Sequence, residues 1–524
     1  MQRLLNPTEP FATNFVINST IHPEFNVTDS RWLNDFITCV RPAGSTAACT
    51  NRLSGLSRDV RQVSQSGNTI SINHSGSSIN GNGFQGFNVN QTWTADQDVL
   101  RWTTTVINTS PNGLEFQDVG FPLLMDSFFQ GDSTNIYEHS VERHSYIAED
   151  GSYIYWGRPN GVGPYLLMTP TAGTSLEYKN KADAGEGPFQ AQDPKWEGLQ
   201  EFYVHSANVV PRRVSKSATY LPATSITVPQ GGRQKFEFEF RWPSSYKAMH
   251  DTLYAAGVAD IVSLPGMTVP TDIPITLAVR AQSGISSVAG EGGKNVQVTS
   301  QGTKNGYNVY TFSLPTLGPQ KVTITYNGGR TSVMQYMSIK PVDQLVQSRT
   351  SFLVKNQQAK TSKGYNGAFL QWDFVKKALI TWDTYPGGGW KQWMAGGSDD
   401  LGLAPAEFLS LKNTITPVQA EITSIDYYID NFLAKYLQAK KGTNGARTWE
   451  VYRWYDGQEG TPSDTGTWRT FNYIHIANTY FHMYQVKRTS PPSPRPTLLS
   501  TTSICVIRPS TPSLSFIKAT VRLD

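Results

Sequence analysis

The chain is poor in charge, in cysteine and in long apolar runs, and each scarcity removes a class of function. Charged residues make up only 16% of its 524 residues, and 45 basic against 41 acidic side chains leave a net charge of +4. The basic residues are scattered, so the electrostatic footprint of a nucleic-acid binder is missing. So small a balance tolerates an acidic glycan without requiring one. No stretch approaches a membrane span, which argues against a membrane partner. There are three cysteines, and no spacing among them suggests a zinc site. No G-x-S-x-G elbow, P-loop, G-x-G-x-x-G fingerprint or H-E-x-x-H pair occurs, so the sequence implies no metal and no cofactor.

Neutral polar residues fill the gap, with 12% aromatics that include 13 Trp and 24 Tyr. This composition folds, and it is typical of secreted carbohydrate-active proteins. Cys39 and Cys49 in CVRPAGSTAAC are placed to close a disulfide loop, the alternative being two unrelated thiols. Five glycosylation sequons, at Asn18, Asn26, Asn73, Asn90 and Asn108, fit an extracellular glycoprotein. The start, MQRLLNPTEPFATNF, has no apolar leader core, so the expectation is a secreted protein whose leader lies upstream.

Periodicity divides the chain. Residues 1–245 read as a large antiparallel β-sandwich; in KFEFEFRW, Phe236, Phe238, Phe240 and Trp242 alternate onto one face. Residues 246–265 read as a connecting helix that stops at Pro265. Residues 266–342 form a compact run of strands of Ig-like size. The texture then turns helical over 343–488. VDQLVQSRTSFLVKNQQ reads as a helix, and 367–384 reads as a hairpin turning at VKK. The clearest helix has Thr416 as its cap, Pro417 in its first turn and a stripe of Ile422, Ile425, Ile429, Phe432, Leu433, Tyr436 and Leu437. Lys440 and Lys441 suit its C-terminal end, and Gly442 stops it. A further helix covers NYIHIANTYFHMYQVKR. Residues 489–524, crowded with Pro, Ser and Thr, read as a disordered or aberrant tail.

Three segments carry a resemblance: WKQWMAGGSDDLGLAPAEFLSLKN (390–413), PVQAEITSIDYYIDNFL (417–433) and WRTFNYIHIANTYFHMYQVKR (468–488). With the order of sandwich, small β-module and helices, they resemble the six-hairpin glycosidase-like family of fungi and bacteria. That resemblance implies a β-sandwich joined to an (α/α)6 toroid, with cleavage of an oligo- or polysaccharide between them. Members hydrolyse glycosides or cleave them by elimination, among them lyases that release terminal rhamnose from glucuronate. A complete toroid of twelve helices needs roughly 300 residues. The helical region is about half that, so the expectation is a partial, C-terminally truncated toroid, with an inactive fragment as one of the outcomes it allows.

Hydrolysis needs two carboxylates about 5–9.5 Å apart. Asp399 or Asp400 is the candidate for one of them, with Trp390 and Trp393 stacking on sugar rings. The alternative is a capped turn beside core tryptophans. His475, Asn478 and His482 fall on one helix face. Elimination at a uronate needs a base, an acid and a cation, for which His475 and His482 supply proton transfer and Arg453 or Arg469 the cation. The alternative is a hydrogen-bonded polar face. Tyr452, Arg453 and Trp454 form an aromatic loop suited to a glycan cleft. His139, Glu142, Arg143 and His144 sit in a sandwich loop that is either ordinary or extends toward a cleft. The leading expectation is a hydrolase, with a lyase and a noncatalytic glycan-binding protein as rivals.

Overall fold

A computed structural model describes residues 4–6, 10–17, 32–53, 61–74, 86–129, 131–171, 173–181, 198–214, 219, 221–291, 296–381, 384, 402–439, 441–451, 472–489, 502–507 and 516–521. The chain divides into two compact units, Met1–Lys340 and Pro341–Asp524.

In unit 1, alternation of apolar and polar residues builds two facing sheets. One has eight strands, in spatial order Arg61–Ser66, Thr69–His74, Phe87–Asp96, Val99–Asn108, Arg233–Arg241, Leu166–Pro170, Tyr153–Gly157 and Glu142–Tyr146. The other runs Tyr178–Lys181, Gln200–Ser206, Leu114–Leu123, Ile37–Pro42 and Thr50–Leu53, with Ile226–Val228 also paired to Leu114–Leu123. Phe236, Phe238 and Phe240 all point inward, as the period of two predicts, and Trp242 packs partly buried at the margin. Trp93 and Trp102 are cross-strand partners whose rings stack at 4.9 Å. Phe121 of the facing sheet meets Trp102 edge-on at 5.1 Å, so the two sheets interlock through aromatic rings. Two short helices, α1 (Ser133–His139) and α2 (Val209–Arg213), lie in the connections.

Cys39 and Cys49 form a disulfide with 5.3 Å between their Cα atoms, closing the loop between the paired strands Ile37–Pro42 and Thr50–Leu53 of the second sheet. Asn73 and Asn90 are exposed and directly opposite each other on neighbouring strands. Asn108 requires a correction. Its side chain is buried, and its Nδ2 donates to the carbonyls of Asn112, Val228 and Pro229 at 2.9–3.1 Å. The amide that a glycan would occupy is spent inside the fold, so Asn108 is a structural residue and not an acceptor. Asn18 and Asn26 lie outside the described residues.

The connecting helix is shorter than expected. α3 spans Tyr246–Ala255, and Gly257, with φ of 72°, turns the chain out of it. Asp260–Leu264 is then a strand that pairs with Ile275–Arg280. This strand opens a second sandwich of two four-stranded sheets. One sheet is Asp260–Leu264, Ile275–Arg280, Tyr307–Phe312 and Thr299–Lys304; the other is Thr268–Pro270, Arg330–Ile339, Gly318–Tyr326 and Ile285–Gly290. Ile275, Leu277 and Val279 face Val322, Ile324, Tyr326 and Tyr336 across its core. α3 is tied to this sandwich by buried Asp260, which accepts from Arg280 Nε at 2.7 Å, Tyr307 Oη at 2.5 Å and His250 Nδ1 at 2.6 Å.

The two sandwiches of unit 1 meet at residues 148–152. Gly151 N donates to Thr331 O at 3.0 Å, Val333 N to Ala148 O at 3.3 Å and Arg330 Nη2 to Asp150 O at 2.9 Å. A Cβ on Gly151 would come within 2.4 Å of Ser332 Cβ and 3.1 Å of its backbone Cα. Gly151→Ala is therefore expected to lower unit 1 stability by about 1–3 kcal/mol, the usual cost of overpacking. Equilibrium denaturation measures this, and an unchanged midpoint would show that the joint does not close at this position.

Unit 2 is helical. α4 (Val342–Phe352) runs on into a wider turn over Leu353–Gln357. Trp372–Asp373 and Ala378–Leu379 form the expected hairpin. α5 (Ala404–Ile415), α6 (Gln419–Tyr428) and α7 (Asn472–Thr489) follow, and α6 continues as a wider helix over Ile429–Leu437. The predicted stripe from Ile422 to Leu437 is buried, with Tyr436 partly so. The cap is not Thr416, which ends α5. Instead Asn413 Oδ1 accepts from Val418 N at 2.8 Å, because the corner between α5 and α6 is buried around the Lys412–Glu421 pair at 2.8 Å. In the tail, Thr502–Ile507 and Phe516–Val521 pair antiparallel. Both strands lie in the segment that the sequence reads as a disordered or aberrant tail, at its β-branched stretches TSICVI and FIKATV. Among the described residues no helix is long and apolar enough to cross a membrane.

Candidate functional site

The site lies where α5 meets α7. In APAEFLSLKNTI, Ala406, Leu409 and Asn413 are buried, which sets Glu407 and Ser410, one turn apart, along the side of the helix. α7 buries Asn472, Ile476, Thr479, Met483 and Val486 at spacings of three and four. His475, Asn478 and His482 then share the adjoining face, as their offsets predict. Glu407 receives both of the first two: His475 Nδ1 hydrogen-bonds Oε2, and Asn478 Nδ2 donates to Oε1 at 2.6 Å. The pair is open to solvent, with side chains 25% exposed for His475 and 22% for Glu407. One turn along, Ser410 Oγ meets His482 Nδ1 at 3.2 Å.

These contacts determine which nitrogen of each ring is basic. Glu407 as a carboxylate only accepts, so neutral His475 carries its proton on Nδ1 and keeps the lone pair on Nε2. Ser410 Oγ spends its single proton on the Glu407 carbonyl at 2.8 Å. It therefore accepts from His482 Nδ1, which leaves Nε2 basic there too. Burial holds the His482 pKa below that of an ordinary histidine, and the Glu407 charge pulls it partly back. His482 is thus neutral near pH 7 and able to take a proton. Two imidazoles anchored through Nδ1 to one helix, beside a carboxylate, can perform general acid–base chemistry.

The structure brings together His475, Asn478 and His482 and adds Glu407 and Ser410, which sequence reasoning did not single out. The available signal was that Glu407 and Ser410 repeat the i, i+3 spacing of His475 and Asn478. Asp399, Asp400, Trp390, Trp393, Tyr452, Arg453, Trp454 and Arg469 lie outside the described residues. In unit 1, His144 stacks on Tyr155 at 4.7 Å and Arg143 Nη1 donates to Ser145 Oγ at 2.9 Å, both on the edge hairpin of the eight-stranded sheet. Among the described residues no group of three or more His, Cys, Asp or Glu side chains is arranged to hold a metal.

DUF5695, a family of unknown function, matches residues 14–496. The chain belongs to that family. No curated protein matches it in sequence. Among solved structures, a polysaccharide lyase aligns with a TM-score of 0.68 at 14% identity, over 93% of this chain and 64% of the lyase. The chain therefore spans a little under two thirds of the lyase's length. A putative aldose 1-epimerase from Escherichia coli K12 aligns at a TM-score of 0.22 and 15% identity, over 38% of this chain and 74% of its own. A galactose mutarotase-like protein from Lactobacillus casei aligns at 0.30 and 9% identity, over 46% and 92%. These last two overlaps are too slight to carry an argument. The likeness to the lyase shows that the fold of this β-rich, multidomain chain is shared with it.

Proposed function

We propose that the protein cleaves an acidic polysaccharide by elimination at a uronate, with α5 and α7 supplying the proton transfers. The observation that carries this reading is the pair of imidazoles anchored through Nδ1 to α5, His475 on Glu407 and His482 on Ser410. In the reaction, Nε2 of one histidine removes the proton on C5, next to the carboxylate. The C–H electrons form the C4–C5 double bond, and the C4–O bond breaks. The departing sugar oxygen takes a proton from the second group. Glu407 accepts from His475 Nδ1, which fixes the ring, and its negative charge stabilises the imidazolium that gives up the proton. His482, whose pKa is lowered by partial burial, is assigned as the base, and His475, hydrogen-bonded to the Glu407 carboxylate, as the acid.

Hydrolysis is the second reading. It requires two carboxylates, and Glu407 is the one carboxylate of this cluster among the described residues. Asp399 or Asp400 would have to be the other. The helical unit is read as part of an (α/α) toroid. Support comes from apolar side chains that α5 and α7 leave uncovered, among them Ile415 at 75% and Ile474 at 52% exposure, as expected for helices that pack against further ones. The composition and the exposed sequons at Asn73 and Asn90 support an extracellular location. Incubation with a rhamnose–glucuronate oligosaccharide tests the reading. Elimination releases rhamnose together with an ultraviolet-absorbing unsaturated uronate, whereas rhamnose without that absorbance means hydrolysis.

A further inference from the structure

An open cavity of about 400 Å³ lies where the two sandwiches of unit 1 meet. Ser145, Tyr146, Glu177 and Tyr178 of the large sandwich form one side, and Met267 and Gln335 of the small sandwich form the other. The hydrogen bonds of the joint hold the walls apart at a set distance. Tyr146 Oη donates to Val333 O at 3.3 Å, close to where Gly151 and Val333 are pinned. The cavity is therefore preformed, and its size lies at the lower end of the range for small-molecule sites.

Its polar groups are only partly used. A carboxylate accepts about four hydrogen bonds. Glu177 is already engaged by Ser206 Oγ at 2.5 Å, Thr224 N at 2.8 Å and Thr224 Oγ1 at 2.6 Å, with the Ser206 backbone contributing as well. Ser145 Oγ accepts from Arg143 and keeps its own proton to donate. The amide of half-buried Gln335, which both donates and accepts, makes no hydrogen bond to another residue of the described protein. A hydroxyl donor and an amide that both donates and accepts are groups that sugar hydroxyls, themselves both donor and acceptor, satisfy together. The Tyr146 and Tyr178 rings and Met267 add apolar surface for the C–H face of a ring. Glu177 and Lys179 both line the cavity, one acidic and one basic side chain.

We propose that this cavity is a binding site for a neutral pyranose, separate from the α5–α7 cluster. Such a site would hold one sugar of a chain on the β-rich unit. The test is calorimetric titration of the full chain with the methyl pyranosides of glucose, galactose and rhamnose, with glycerol as the control polyol. The expected result is saturable binding of at least one pyranoside and none of glycerol. Gln335→Leu should weaken that binding tenfold or more. Met267→Trp, at a partly exposed position on the cavity wall, should abolish it by filling the space, and His475→Ala should leave it unchanged. Met267→Trp alone decides the matter if Gln335→Leu does not fold. Absence of saturable binding, equal binding of glycerol, or wild-type affinity in the cavity variants would overturn the proposal. So would binding that His475→Ala removes, since it would belong to the helical cluster.

Discussion

Replacing Glu407 with Gln is expected to lower turnover by about 10²–10⁴-fold while leaving the protein folded, because it removes a general acid–base arrangement without removing a side chain. The carboxylate accepts from His475 Nδ1 and from Asn478 Nδ2. A glutamine amide can still accept from Asn478 through its oxygen. Its nitrogen then faces His475 Nδ1 and can only donate, so the protonated imidazole that acts as the acid loses the acceptor that holds it. The imidazolium also loses its counter-charge. Because the two residues act as a unit, Glu407→Gln combined with His475→Ala should cost little more than the worse single change. Steady-state kinetics and far-ultraviolet circular dichroism on the same samples check this. A folded Glu407→Gln protein that turns over within about twofold of wild type would remove the cluster from the chemistry.

The second large effect is acid destabilisation of unit 1 through His74. This side chain ends the strand Thr69–His74, is only 1% exposed and sits edge-on to Phe36 at 5.6 Å. Burial, helped by the charge of Arg61, lowers its pKa from 6.5 to about 4. Above pH 6.5 the ring is neutral in both the folded and the unfolded chain. As the pH falls below 6.5, the unfolded chain takes up a proton that the folded one refuses, so stability is lost until the folded value near 4 is passed. The loss amounts to about 3 kcal/mol for this residue. His205, lowered to about 4 by burial, acts in the same direction. Asp118 and Glu177 act against it, because burial raises their values and the folded protein takes up their protons first. Urea denaturation of wild type and His74→Gln, at neutral pH and near pH 4, isolates the contribution of His74. The variant should lose about 3 kcal/mol less than wild type on acidification. An identical loss in both would mean that His74 is protonated in the fold.

What the sequence made legible depended on whether the information was local. Alternation at Phe236, Phe238 and Phe240 announces its own buried face, since a strand has only two faces. The stripe from Ile422 to Leu437 does the same for a helix, and all of it packs inward. His475, Asn478 and His482 were readable as one face by offset alone. Glu407 was not, because a glutamate on a helix ordinarily belongs to solvent and its partner lies 68 residues away. Nothing local announces such a pairing. The N-cap was misplaced for a similar reason: Thr416 satisfies the local pattern, but Asn413 reaches Val418 N because Glu421, Lys412 and Asn413 are buried together at the corner. Asn108 shows the converse. Its sequon is a three-residue motif, whereas its burial depends on carbonyls at Val228 and Pro229, 120 and 121 residues away.

The measurement that tests the central claim most directly follows rhamnose release and ultraviolet absorbance together, using a rhamnose–glucuronate oligosaccharide with wild type and His482→Ala. If His482 is the base, wild type forms one unsaturated uronate for each rhamnose freed, and the variant forms neither at a comparable rate. Rhamnose freed without absorbance, or equal elimination by both proteins, would contradict the account.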